Sequence, residues 1–255
     1  MIDCGSLEYA HARLHARHGQ RLDAAAWRRI EVLRDFAPLL ELARGTALQP
    51  WLVGITADSD VHRVEVVLRR HWRALVDELV AWMPAEWRPA LAWCALLPEL
   101  ALLQHLARGG APAAWMEDDE RWRALRAAPP PARQALLAAG PAADLAGAWP
   151  LPQSFGTAWL DAWQRRLPQP LGDAQDMLVR LVQLLLDHHQ AFAEAPAGQG
   201  WQLRGALQAR LTLLLRRAAL EPAAVFAHLA LCALDLERLR AELLRRLLFR
   251  RWKVA

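Results

Sequence analysis

Residues 61–82, VHRVEVVLRRHWRALVDELVAW, decide the fold class of this chain. Large apolar side chains recur there every three or four positions, which is the spacing of an α-helix with one buried face. These side chains are Val61, Val64, Leu68, Trp72, Leu75, Leu79 and Trp82. Asp60 can cap the first turn and Pro84 ends the pattern. The segment therefore predicts an amphipathic helix of about six turns.

The sequence on either side of this segment has the same helical period, and it contains no convincing strand. Before it, helices are predicted at about 6–18 and from Asp23 onward, the second with a restart at Asp35 and Pro38. After it, a pair of short helices is predicted at 85–108, with a break at Pro98. The remaining helices are predicted at 172–193, at 201–219, from 221, and at 235–250, where Asp235 is the cap. Closely spaced prolines between 112 and 170 predict short helices with tight corners. The sequence thus predicts an all-α, multi-helix bundle built of related helical sub-bundles. Its three predicted parts are an N-terminal helical bundle (1–112), Pro-punctuated short helices (113–170) and a C-terminal helical bundle (171–255).

Composition narrows the class of protein further. The chain has 255 residues and a net charge of +4 that is spread along its length, whereas a nucleic-acid-binding protein concentrates positive charge in one patch. No apolar run approaches the length of about 18 residues that spans a bilayer, and the opening residues 1–5 do not resemble a signal peptide. The three cysteines lie far apart, which fits a reducing cytosol. We therefore expect a cytoplasmic protein without a nucleic-acid partner.

Histidines supply the candidate metal ligands. His11, His15 and His18 are spaced four and three residues apart, so they share one face of the first helix. This pattern favours an exposed polar face, with a metal site as the alternative. His188 and His189 are expected to cap the last turn of their helix, where a positive charge suits the helix dipole.

Other chemical motifs are missing or have a structural interpretation. The acidic run at 116–120 is expected to cap the following helix, and Cys94 and Cys232 lie in apolar runs typical of core residues. The sequence has no P-loop, no GxGxxG and no GxSxG motif. We therefore expect no catalytic residues, no cofactor and no small-molecule substrate.

Arginine doublets are the most prominent polar feature. They occur at 28–29, 69–70, 165–166, 216–217, 245–246 and 250–251. Solvated helix faces would explain them, and contacts with acidic partner surfaces or anionic head groups are the functional alternative. The densest cluster is the predicted partner-contact set, namely Arg245, Arg246, Arg250, Arg251 and Lys253.

Two stretches resemble the C-subunit family of V-type (A/V-type) ATPases, whose member in the eukaryotic vacuolar enzyme is the d-subunit. Residues 9–17, YAHARLHAR, are similar to the Tyr-x-x-Ala-Arg-Val-Arg opening of that family, and residues 96–109 occupy the place of its Leu-rich helix. Residues 221–225 and 234–246 resemble its closing pair of helices. The likeness covers about 1–112 and 200–250. It implies a shortened member, because the chain lacks length in its proline-punctuated middle.

The resemblance implies a non-catalytic central-stalk connector. Its partners would be the central-stalk subunits and the membrane proteolipid ring of a rotary ATPase, and it would lie in the cytoplasm against the inner membrane. Two alternatives stay open. One is a helical protein–protein adaptor unrelated to an ATPase, and the other is a metal-dependent hydrolase that uses His11, His15, His18 or His188.

Overall fold

A computed structural model describes residues 4–196 and 198–250, without the side chains of residues 4–6 and 250. The described residues form twelve α-helices and no strand, which confirms the all-α prediction. The helices are α1 Cys4–Gln20, α2 Ala24–Glu31, α3 Phe36–Arg44, α4 Val61–Trp82, α5 Arg88–Trp93, α6 Leu100–Ala107, α7 Glu120–Ala127, α8 Pro130–Ala138, α9 Phe155–Arg165, α10 Gln175–Glu194, α11 Gly200–Arg217 and α12 Ala223–Arg250. Short 3-10 segments join them at Gln49–Leu52, Ala85–Trp87, Cys94–Glu99, Ala114–Asp118, Ala143–Ala148, Pro152–Ser154 and Gly172–Ala174.

Helix α4 has the bounds that its sequence pattern predicts. The carboxylate of Asp60 accepts a hydrogen bond from the backbone N–H of Arg63 at 2.7 Å, so the predicted cap is formed. Trp72 on the inner face is fully buried, and its indole N–H donates to the carbonyl of Cys94 at 3.0 Å. Burial of this side chain ties α4 to the segment that follows α5, and α4 also packs against α1 and α12.

Helix α12 is longer than the sequence pattern suggests. It runs for 28 residues, about 42 Å, and the predicted start of a separate helix at Asp235 is wrong. Residues 222–229 are all buried, so the first two turns of the helix have no exposed polar face to show its period. Asp235 lies inside the helix, and its two carboxylate oxygens accept from Arg21, the residue that follows α1, at 2.7 and 2.9 Å. This ion pair joins α1 to the middle of α12.

Helices α10 and α11 form a hairpin packed on α12. The predicted loop between them is confirmed, since α10 ends at Glu194 and α11 begins at Gly200. Arg204 links the hairpin to α12 through an ion pair with Glu237, and its guanidinium lies 4.9 Å from the centre of the Trp201 ring. The far end of the hairpin is more exposed than its base.

The proline-punctuated middle of the chain folds as the short helices that the prolines predict. It joins the same core as the long helices. Trp93 of α5 and Trp159 of α9 donate to each other's backbone carbonyls at 3.0 and 3.4 Å, and Trp163 meets the ring of Phe226 edge-on at 5.1 Å. One continuous apolar core therefore extends across the predicted boundaries at 112 and 170. The three-part division of the chain stays a prediction.

One segment corrects the expectation that no apolar run is long enough to span a membrane. Ala85–Ala107 is 23 residues long, with a mean hydropathy of 1.4. By length and composition alone, it is long and apolar enough to cross a membrane. Half of its apolar window is buried inside the protein, and Trp87, Leu91 and Leu103 belong to the core. The buried core helix of a protein outside the membrane can have the same length and hydropathy, so this segment is weak evidence for a membrane span.

Candidate partner-binding surface

The three N-terminal histidines do not share one exposed face. His11 is buried, its Nδ1 accepts from the backbone N–H of Leu220 at 3.2 Å, and its Nε2 lies 3.1 Å from the carbonyl of Glu221. Because Nδ1 accepts, the ring proton sits on Nε2 and is donated to that carbonyl. Burial lowers the pKa of His11. His11 thus holds the turn before α12, in which Leu220 has the uncommon φ of 60°.

The other predicted histidine role is also wrong. His188 and His189 lie within α10, which continues to Glu194, so they do not cap its last turn. His188 packs against Phe192 with ring centres 5.9 Å apart, and burial lowers its pKa. Within residues 4–196 and 198–250, no group of three or more His, Cys, Asp or Glu side chains is arranged to hold a metal ion.

The two described cysteines are core residues, as predicted. Cys94 is buried, and Cys232 lies with its sulfur 3.4 Å from Nε2 of His228. Burial raises the pKa of both thiols, that of Cys232 to about 12. The thiolate needed for nucleophilic chemistry is therefore disfavoured at both positions.

A chain of buried charges crosses the inside of the protein, and no sequence pattern indicates it. Arg69 donates to Glu99 at 3.0 Å and also pairs with Glu65, while Arg73 donates to Asp119 at 2.8 Å. The acidic run does supply the predicted cap, since Asp119 also accepts from the first turn of α7. Burial raises the pKa of Glu99 against the opposing effect of the two arginines. Each of these charged groups has a partner of opposite charge, so the network joins α4 to its neighbours.

A cavity of about 300 Å³ lies between α1, α4 and α12. Its charges cancel in pairs, with Arg17 bonded to Glu78 at 2.7 Å and Arg21 bonded to Asp235. His228 on its wall is almost fully buried, and its Nδ1 has no hydrogen-bond partner among the described residues. Burial lowers the pKa of this ring to about 3, so the imidazole is neutral at pH 7.

The described residues of the predicted partner-contact set differ in burial. The guanidinium of Arg246 is buried, and it donates to the carbonyls of Leu33 at 2.8 Å and of Ile30 and Glu31 at 3.1 Å each. It therefore joins the end of α12 to the end of α2 and is not open to a partner. Arg245 is half-exposed and pairs with Glu242 at 2.9 Å. The side chain of Arg250 and all of Arg251 and Lys253 lie outside the described residues.

Beside Arg245 lies a groove, here named the C-terminal groove, with a volume of about 790 Å³. It is lined by residues 31–37, Ala57, Arg245, Arg246 and Phe249. Val32 and Phe249 are the two most exposed large hydrophobic side chains in the described part of the chain, at 73% and 64%. Leu248, next to Phe249, is 56% exposed. Apolar exposure of this size, beside polar residues, is typical of a protein-binding surface.

Three arginines from α2 and the corner after it add positive charge near the groove. Arg28, Arg29 and Arg34 are exposed and have no ion-pair partner among the described residues. Arg28 and Arg29 are four and three residues before Val32, so they are its neighbours on the helix surface. The doublet at 28–29 is visible in the sequence, but the position of Val32 in one groove with the end of α12 is not.

Comparisons of this chain with protein-family models, with curated proteins and with solved structures found no match in any of the three.

Proposed function

We propose that this protein is a non-catalytic connector between other proteins, resembling the C-subunit of V-type ATPases. The single observation that carries the proposal is the C-terminal groove, where the most exposed apolar side chains of the described residues lie close to exposed arginines. Such a surface is costly to leave in water and has a clear use in binding another protein.

The build of the helices supports a connecting role. Helix α12 is about 42 Å long. Arg21 ties it to the end of α1, Arg246 to α2 and Arg240 to α4. A closely packed helical body deforms little under load, so it can pass a force from one partner to another. The resemblance adds the identity of the partners, which would be the central-stalk subunits and the proteolipid ring. In this proposal the protein is cytoplasmic and held against the inner membrane by that ring.

Purification of a tagged chain from its native cells in mild detergent tests the proposal. We expect stalk and proteolipid subunits of a rotary ATPase to co-purify, and we expect salt without detergent to strip the chain from membranes. An unrelated tagged helical protein is the control bait. A stable soluble dimer without these subunits would favour the unrelated adaptor instead.

The hydrolase alternative has lost its main support, because His11 is used to hold a turn. Metal analysis of the purified protein tests it directly. Stoichiometric metal that disappears when His15, His18 and His188 are changed to alanine would revive it.

A further inference from the structure

We propose that the C-terminal groove binds an amphipathic helix of a partner protein whose apolar stripe is flanked by carboxylates. This inference rests on the proposed function for the identity of the partner, but its argument comes from the groove itself.

The floor of the groove is unsuited to a small polar ligand. Such ligands are held by a few convergent polar groups that are free to bond. Here Arg246 is already bonded to four backbone carbonyls, and Glu31 accepts from Arg238 at 2.8 Å. What the groove offers is apolar surface, from Val32 on one side and Phe249 on the other.

The charge near the groove selects an acidic partner. Arg28, Arg29 and Arg34 are exposed without ion-pair partners among the described residues, and Arg245 adds a half-exposed cation. Two carboxylates also line the groove, that of Glu31, which is paired with Arg238, and that of Asp35, so the exposed cations outnumber the exposed carboxylate. Complementary charge steers partners together and sets their orientation, while like charge opposes contact. A second copy of this chain would bring the same arginines face to face across a two-fold contact, so it is a poor occupant.

The shape of the surface selects a helix over a membrane. The groove is concave, because its walls are the corner between α2 and α3 and the last turns of α12. A bilayer is flat and would leave the interior of the groove empty. A helix with apolar residues at i, i+3, i+4 and i+7 fills such a groove and places its flanking carboxylates at the rim.

Binding of a designed probe to the whole protein tests the groove. The probe is a fluorescent Leu/Glu peptide with apolar residues at those spacings, and a Leu/Lys peptide of the same pattern is its control. We expect the acidic peptide to bind and the basic one to fail. The double variant Arg28→Glu/Arg29→Glu should weaken binding by at least about tenfold, a loss consistent with two charge contacts at a binding rim.

The chain offers a matched control for this variant. Arg216 and Arg217 are an exposed doublet in the last turn of α11, just as Arg28 and Arg29 are in the last turn of α2. Arg216→Glu/Arg217→Glu changes the net charge equally and should leave binding intact. Equal loss in both variants would show general attraction and overturn the proposal. The substitution Val32→Asp, with helicity checked by circular dichroism, should also abolish binding.

Two further results separate this inference from the proposed function. If the chain binds vesicles that contain anionic lipid but does not bind the acidic peptide, the groove proposal is overturned in favour of a membrane surface. If rotary ATPase subunits still co-purify with Arg28→Glu/Arg29→Glu, the groove proposal fails and the connector role stands. If the wild-type chain binds the acidic peptide in the groove and co-purifies with no such subunits, the connector role fails and the groove proposal stands.

Discussion

Replacing His228 by glutamine should make the folded protein less sensitive to acid. The ring lies in the interior between α1 and α12, faced by Arg17, Arg21 and His18, and burial lowers its pKa from 6.5 to about 3. In the unfolded chain the ring regains its ordinary pKa. Below pH 6.5 the unfolded chain therefore binds a proton that the folded protein does not. The stability due to the neutral ring is complete above pH 6.5 and is lost as the pH falls toward 3.

The size of the effect follows from this difference. Between pH 7 and pH 5 the unfolded chain gains most of a proton at this position, and the folded protein gains almost none. The free energy of unfolding should fall by about 2 kcal/mol from His228 alone. Glutamine keeps a polar side chain but does not titrate, so the His228→Gln variant should lack this part of the loss.

Urea unfolding of both proteins at pH 7 and pH 5 provides the assay. For each protein we take the fall in the free energy of unfolding between pH 7 and pH 5. The readout is the fall in the wild type minus the fall in the variant, because the other titrating groups act in both proteins. His62→Gln is a suitable control, since that ring is exposed in the folded protein as well as in the unfolded chain. Equal losses for wild type and His228→Gln would show that burial does not resist protonation here, and the reasoning would be refuted.

Four other substitutions or measurements test the rest of the structure. Trp72→Ala should lower the free energy of unfolding by about 3–5 kcal/mol in urea titrations, because it empties a fully buried site, whereas Trp201→Ala at a half-exposed site should cost much less. Asp60→Ala removes the cap of α4 and should cost about 1 kcal/mol by the same method, and no loss would contradict the cap. Glu99→Leu removes the buried carboxylate that Arg69 and Arg73 share, although each arginine keeps one other partner, and it should cost about 3 kcal/mol, so a neutral result would disprove the network. Labelling followed by mass spectrometry should find that the thiol of Cys232 reacts at least about tenfold more slowly in the native protein than in urea, and equal rates would contradict its raised pKa.

Several local features could be predicted because a few neighbouring residues determine them. The bounds of α4 follow from its periodic apolar residues, from Asp60 and from Pro84. The loop between α10 and α11 follows from the Pro- and Gly-containing segment at 195–200. In these places the backbone conformation depends on groups within a turn or two, so a linear pattern contains the needed information.

Prediction failed where distant parts of the chain meet. The first two turns of α12 are buried on all sides, and without an exposed polar face their sequence shows no helical period. The spacing of His11 suggests one member of an exposed trio, but a turn 209 residues away supplies its donor. Arg246 has the sequence context of a surface cation, but carbonyls at the end of α2 and just after it accept hydrogen bonds from its guanidinium. None of these partners can be read from the residues beside them.

Local sequence patterns were enough to predict that this protein is all-helical, where α4 begins and ends, and that Cys94 and Cys232 pack with the apolar core. Which arginines are buried with carboxylates, and which remain exposed near the C-terminal groove, depends on how the helices pack in space. These two kinds of feature differ in the sequence distance over which they are set. Helix formation and capping are settled by hydrogen bonds within a few residues, whereas burial and ion pairing depend on which helices pack together. The surface that we propose for a partner belongs to that second kind of information.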